Sequence, residues 1–191
     1  MKLECHKALG TFLLGQYLSN ASPAAQQAFL LGCQFPDRNP TTYLKGSLRH
    51  NWLQGHHFDN SLKFMTTLCN RLEAKSSYSI YDYYSLGKLM HYVADAFTHC
   101  HNSNFSGSLS EHREYENRLN SIYSSKLKTQ STKSTIWKNS AIGTVLFHHK
   151  DYMLLPPSPL HDAAYSVGVC SALMKLLTGK LYVRIPEVSQ K

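Results

Sequence analysis

Apolar side chains recur at intervals of three and four residues along most of the chain, over residues 5–19, 23–32, 60–73, 81–99, 111–127, 136–149 and 160–178. That spacing lays them along one stripe of a 3.6-residue helix. No stretch of four or more residues alternates strictly, as a half-buried strand would, so the pattern predicts an all-α multi-helix bundle. Asn20-Ala21-Ser22-Pro23 reads as a cap followed by proline in the first helical turn, and Thr178-Gly179 closes the last helix. Between the periodic segments, PDRNPTTYLKGS reads as a loop, SSKLKTQSTKST as a polar basic excursion and LLPPSPL as a stiff connection. A chain of 191 residues is long enough for one core and short for two. Residues 1–178 are therefore expected to form a single domain, with 179–191 as a loosely held tail.

The first residues, MKLECHKALGTFLLGQYLSNASPAA, place basic, apolar and small residues in the order of a secretory signal. Glu4 and Gln16 interrupt that order, whereas Leu9, Phe12, Leu13, Tyr17 and Leu18 fit a one-sided helix. A retained helix and a cytoplasmic location are expected, with secretion as the alternative if this segment is a signal. No apolar run reaches the ~20 residues that span a bilayer. Cys5, Cys33, Cys69, Cys100 and Cys170 are odd in number, far apart and form no CxxC pair, which points to reduced, buried thiols. A formal charge of +8 favours anionic partners such as phosphate esters, nucleic acid or acidic lipid. No protein partner is indicated.

Six of the eleven histidines fall between His56 and His112. His91 with Asp95 and His112 with Glu116 stand four apart, so on a helix both members of each pair face the same way and can grip one ion. Around His91 and Asp95 the segment LGKLMHYVADAF is apolar. An unpaired carboxylate buried there costs several kcal/mol, and a metal ion removes that cost. Imidazoles and carboxylates without paired thiolates suit zinc in an open, catalytic coordination.

The order His91-x3-Asp95-x5-His101, a loop, then His112-x3-Glu116 resembles the zinc-dependent phospholipase C family, whose relatives include fungal single-strand-specific nucleases. The resemblance runs from His6 to Glu116. It is greatest to short, signal-less bacterial members, in which a PD loop, a GH segment and a DAFTxxHN helix end follow one another. It implies a helical bundle of the phospholipase C and P1 nuclease type, holding two or three zinc ions. His91 and Asp95 would hold one ion with a histidine of GHHFDN, and Asp95 would bridge to a neighbouring ion. His101, His112 and Glu116 would hold a second. Asp37 matches an upstream aspartate at the metal cluster and a general base, and His6 matches a histidine of the third position. In GHHFDN, His56 keeps the spacing to Asp59 and His57 keeps the adjacent phenylalanine; His56 is preferred. The secreted relatives also bind the third ion through a terminal tryptophan, for which this chain has no counterpart. His99 replaces a usual proline and either supports the site or lies on the surface.

The activity so implied is hydrolysis of a phospholipid or smaller phosphodiester by a metal-activated water. A single-strand nuclease-like phosphodiesterase and a non-catalytic, metal-stabilised binding protein are the alternatives. His50, His148, His149 and His161 read as surface or helix-packing residues. Trp52, Phe58, Tyr83, Tyr84, Tyr92 and Phe97 read as core or pocket wall.

Overall fold

A computed structural model describes residues 1–46, 48, 54–129 and 140–179. Seven helices follow one another, and no strand occurs among the described residues: α1 (Leu3–Tyr17), α2 (Pro23–Arg38), α3 (Phe58–Glu73), α4 (Ile80–Ala96), α5 (Leu109–Thr129), α6 (Ala141–Tyr152) and α7 (Pro159–Gly179). His50, Trp52, the second half of the basic excursion and the tail beyond Gly179 lie outside the described residues.

Serine starts five of these helices, Ser158 at α7 among them, where its hydroxyl accepts from the Leu160 amide at 3.3 Å. Ser22 accepts from the Ala25 amide ahead of Pro23, and Ser140 accepts from the Gly143 amide. Ser79 and Asp82 form a reciprocal capping box at α4, and Ser108 and Glu111 form another at α5. Each cap fixes where its helix begins by satisfying amides that have no partner inside the helix. The register of His91 and Asp95 on α4, and of His112 and Glu116 on α5, therefore follows from Ser79 and Ser108.

α2 and α4 share the most extensive helix–helix contact. Glycines permit it: a Cβ on Gly32 would run into the Tyr84 carbonyl, and one on Gly87 into the Phe29 carbonyl. The two backbones touch there without side chains between them. This brings the C-terminal end of α2, with Asp37, beside His91 and Asp95. Phe29, Leu86, Leu89, Met90 and Val93 from this pair pack with Leu9 and Leu13 of α1, Tyr123 of α5, and Val167, Leu173 and Met174 of α7 in one apolar core.

The α2 boundary differs from the periodicity-based expectation. The helix runs six residues past 32, through Pro36, into the segment read as loop. Proline removes one helical N–H, but packing against α4 holds the last turn in place. The next segment, Pro40–Leu44, is also wound, as a 3-10 turn. The expected 81–99 helix instead stops at Ala96, and a separate 3-10 turn at His99–His101 follows.

Candidate metal centre

His91 lies on the inner face of α4, fully buried, and its Nδ1 donates to the Cys33 carbonyl at 2.9 Å. That bond consumes the ring's proton and leaves Nε2 as a lone pair. His56 reaches the same place from the turn before α3. The Thr42 hydroxyl donates to the Pro36 and Asn39 carbonyls at 2.7 Å. It thereby accepts from His56 Nε2 at 3.1 Å, and His56 Nδ1 is left as the lone pair. The two lone pairs face each other at 3.3 Å.

Carboxylates complete the array. Asp95 Oδ2 lies 3.2 Å from both His56 Nδ1 and His91 Nε2. Asp37 Oδ1 lies 3.5 Å from the first and 3.6 Å from the second. Ligands ~2.0–2.1 Å from a tetrahedral ion are separated by about 3.3–3.4 Å along the edges. Distances of 3.2–3.6 Å, between atoms that carry lone pairs and no shared proton, are those of candidate ligands to a divalent cation, and they fall into two groups, Asp37 with His56 and His91, and Asp95 with His91 and His6.

The second carboxylate oxygen of Asp95 faces the other way. Oδ1 is 3.3 Å from His6 Nε2 and 2.7 Å from the Met1 amino group. That amine is also 2.7 Å from His101 Nε2 and 3.0 Å from Glu116 Oε1. His101 and His112 both hold Nε2 at 3.3 Å from Glu116 Oε1, and the Cys100 thiol belongs to the same group. The structure thus collects His6, Asp37, His56, His91, Asp95, His101, His112 and Glu116 into adjoining clusters, with Asp95 between them. Burial opposes ionisation of Asp95, but the Met1 ammonium and the rings of His101, His6 and His91 hold its carboxyl well below the usual range. Burial lowers His6 and His101 to about 4, so these rings are neutral donors near neutral pH.

The donor set fits a metal. His6 Nδ1 and Nε2, Asp37 Oδ2 and Asp95 Oδ2 are buried and make no hydrogen bond among the described residues. Buried acceptors and donors left in that state cost free energy, and a shared cation satisfies them together. Imidazole nitrogens with carboxylate oxygens suit zinc.

Comparison with known proteins agrees. A profile described as zinc dependent phospholipase C matches residues 5–153. The chain belongs to the zinc-dependent phospholipase C family. No curated protein and no solved structure matches it. The family is thus all-α here as well, and the match covers every cluster residue apart from Met1.

His57 and His99 are not in the family-like clusters. The His57 ring turns toward the Asn102 backbone and lines the pocket. His99 packs its ring between Phe105 and Tyr115, while its amide donates to Asp162 at 2.9 Å. His149, read as surface or packing, packs: its ring stacks on Phe58 at 3.5 Å and its Nε2 meets Asn102 Oδ1 at 2.8 Å. Tyr92 and Phe97 are buried in the core, as expected.

Two buried polar groups hold the turn that carries His101. Asn102 Nδ2 donates to the Ala96 and Thr98 carbonyls at 3.0 and 2.9 Å. Asp162, from α7, accepts from Tyr152 at 2.7 Å, from Tyr115 at 2.9 Å and from the His99 amide. Neither residue stood out by spacing. Asp162 is 63 residues from its amide partner, and no local pattern marks it.

The clusters open onto a pocket of about 590 Å³ whose wall includes His56, His101, His112 and Glu116. Tyr43, Phe105 and Leu109 supply its apolar wall, and Arg113 is the cation on its rim.

Proposed function

We propose that this chain is a zinc-dependent phosphodiester hydrolase of the phospholipase C type, acting on a phospholipid head group or a closely related phosphodiester. The array of His56, His91, Asp37 and Asp95, with its lone pairs at tetrahedral edge distances, carries this reading. His56 and His91, with Asp37 or Asp95, would hold one zinc; His101, His112 and Glu116 would hold a second; His6 with the other oxygen of Asp95 would offer a third position. Zinc bound there supplies Lewis acidity toward a phosphoryl oxygen and lowers the pKa of a water toward ~7.

The chain's own residues do the rest. Cys33 and Thr42 fix the tautomers of His91 and His56, so both rings present lone pairs without rearranging. Asp37 Oδ2 makes no hydrogen bond among the described residues, and it is the oxygen placed to orient the attacking water and accept its proton. Arg113 meets the phosphate charge at the rim, and Tyr43, Phe105 and Leu109 take the apolar part of a lipid. No serine, cysteine or lysine nucleophile is required.

Elemental analysis followed by parallel assays on a phosphatidylcholine analogue, an aryl phosphodiester and single-stranded DNA tests the reading. Zinc is expected to co-purify, with hydrolysis of the lipid analogue lost in chelator and restored by zinc. His91→Ala and His112→Ala should lose metal and turnover together. Full activity in excess chelator removes the metal mechanism; preference for DNA moves the assignment to a nuclease; bound zinc without hydrolysis leaves a metal-stabilised binding protein.

A further inference from the structure

Five cysteines are buried, but one of them keeps different company. Cys5, Cys33, Cys69 and Cys170 belong to the apolar core. Cys5 donates to Asn120 Oδ1 at 3.2 Å and Cys170 to the Met90 carbonyl at 3.6 Å. Cys100 is just as buried, at 4 % exposure, yet it stands outside that core. It lines the pocket beside His101, His112 and Glu116, and one ligand atom from each of these four residues lies within 4.8 Å of the others. The turn His99–His101 that presents it is held by Asp162 and Asn102 from behind, so the sulfur's place is set by the same bonds that set His101.

We propose that Cys100 Sγ is a fourth protein ligand of the metal held by His101, His112 and Glu116. This rests on the zinc reading above and adds to it a donor that neither the spacing of the histidines nor the family resemblance supplies. In a tetrahedron, sulfur at ~2.3 Å and nitrogen or oxygen at ~2.0–2.2 Å from one ion lie about 3.6 Å apart, so the thiol and its neighbours draw inward from their 4.8 Å grouping when the ion binds. Binding breaks the S–H bond, sends the proton to solvent and leaves a thiolate on the ion. Thiolate and Glu116 together neutralise a divalent charge in a buried place.

Two consequences follow. A soft sulfur donor favours zinc or cobalt over magnesium, manganese or calcium at this position. Four protein donors also fill a tetrahedron, which assigns this ion to holding α5 and the 99–101 turn together.

Cobalt(II) substitution reads this directly, since a cobalt thiolate absorbs in the near ultraviolet by sulfur-to-metal charge transfer and cobalt bound only by nitrogen and oxygen does not. The full chain, stripped with chelator and reloaded with cobalt, should show that band, and Cys100→Ser should abolish it while cobalt at the other position remains. Zinc should also leave the Cys100→Ser chain about tenfold more readily or faster still, at one position and not the other. In the unmutated protein, alkylation with iodoacetamide and peptide mapping should label Cys100 after chelation and spare it after zinc is returned. Cobalt bound by the unmutated chain without the charge-transfer band overturns the thiolate ligand and leaves the hydrolase reading standing. No cobalt or zinc bound overturns both.

Discussion

Two neighbouring histidines of GHHFDN face different surroundings. The His56 ring is locked by Thr42 with its Nδ1 toward Asp37 and Asp95, whereas His57 turns to the Asn102 backbone. Replacing each by alanine separates their parts: His56→Ala should lose a zinc equivalent and nearly all turnover, while His57→Ala keeps its zinc. Loss of zinc from His57→Ala alone would reverse the assignment. Asp37 allows a finer test. Asparagine keeps one oxygen for the metal but cannot accept a proton, so Asp37→Asn should retain most zinc and lose turnover by about 10²–10⁴-fold, the usual contribution of a general base. Unchanged kcat would take that part away from Asp37. Spacing alone picked out His91 with Asp95 and His112 with Glu116, because four residues is a property of the helix itself. The spacing to Asp59 preferred His56 over His57, but the way each ring turns depends on Thr42, 14 residues away, and on where a turn points.

Among the elements, α2 and α4 do the most to assemble the array. Asp37 comes from one and His91 and Asp95 from the other, and the interval between them is set by Gly32 and Gly87. Gly32→Ala would force the new methyl against the Tyr84 carbonyl, which is backbone and cannot swing aside. The helices must part, at a cost of at least about 2 kcal/mol, and Asp37 moves away from His91. Urea denaturation and zinc stoichiometry should fall together; a chain that loses stability but keeps full zinc would show that the array tolerates the shift. The helices themselves were legible, since their apolar periodicity and serine caps are local. Their ends were less so. Periodicity stops α2 at 32, but contact with α4 carries it to Arg38, and periodicity runs α4 to 99, but the chain leaves the helix at Ala96 to form the His99–His101 turn.

For the whole molecule, burial of imidazoles sets the response to pH. Burial holds His6, His101 and His149 at about 4, below the ordinary histidine value of 6.5. The folded chain keeps them neutral while the unfolded chain takes up protons, so stability falls as pH drops from about 6.5 to about 4. Each ring contributes at most on the order of 3 kcal/mol to that loss. Asp95, whose folded-state pKa is depressed, adds stability above the usual carboxylate range that is lost in the same downward direction. In chelated protein the urea midpoint should therefore decline between pH 7 and pH 4.5; a flat profile would contradict the buried, neutral state of these rings. Zinc should steepen the decline, because protons compete with it for the same nitrogens.

The amino-acid sequence by itself determined the all-α class, the helical pairing of His91 with Asp95 and of His112 with Glu116, and the metal-binding character of the histidine-rich segment. These rest on one helical repeat and on the chemistry of side chains, both of which are local. Tertiary structure alone decided which ring of GHHFDN turns inward, that the Met1 amine and the Cys100 thiol lie beside the candidate ligands, and that Asn102 and Asp162 secure the turn beneath His101. Those outcomes depend on groups up to a hundred residues apart meeting across packed helices, and no periodicity along a chain records such a meeting.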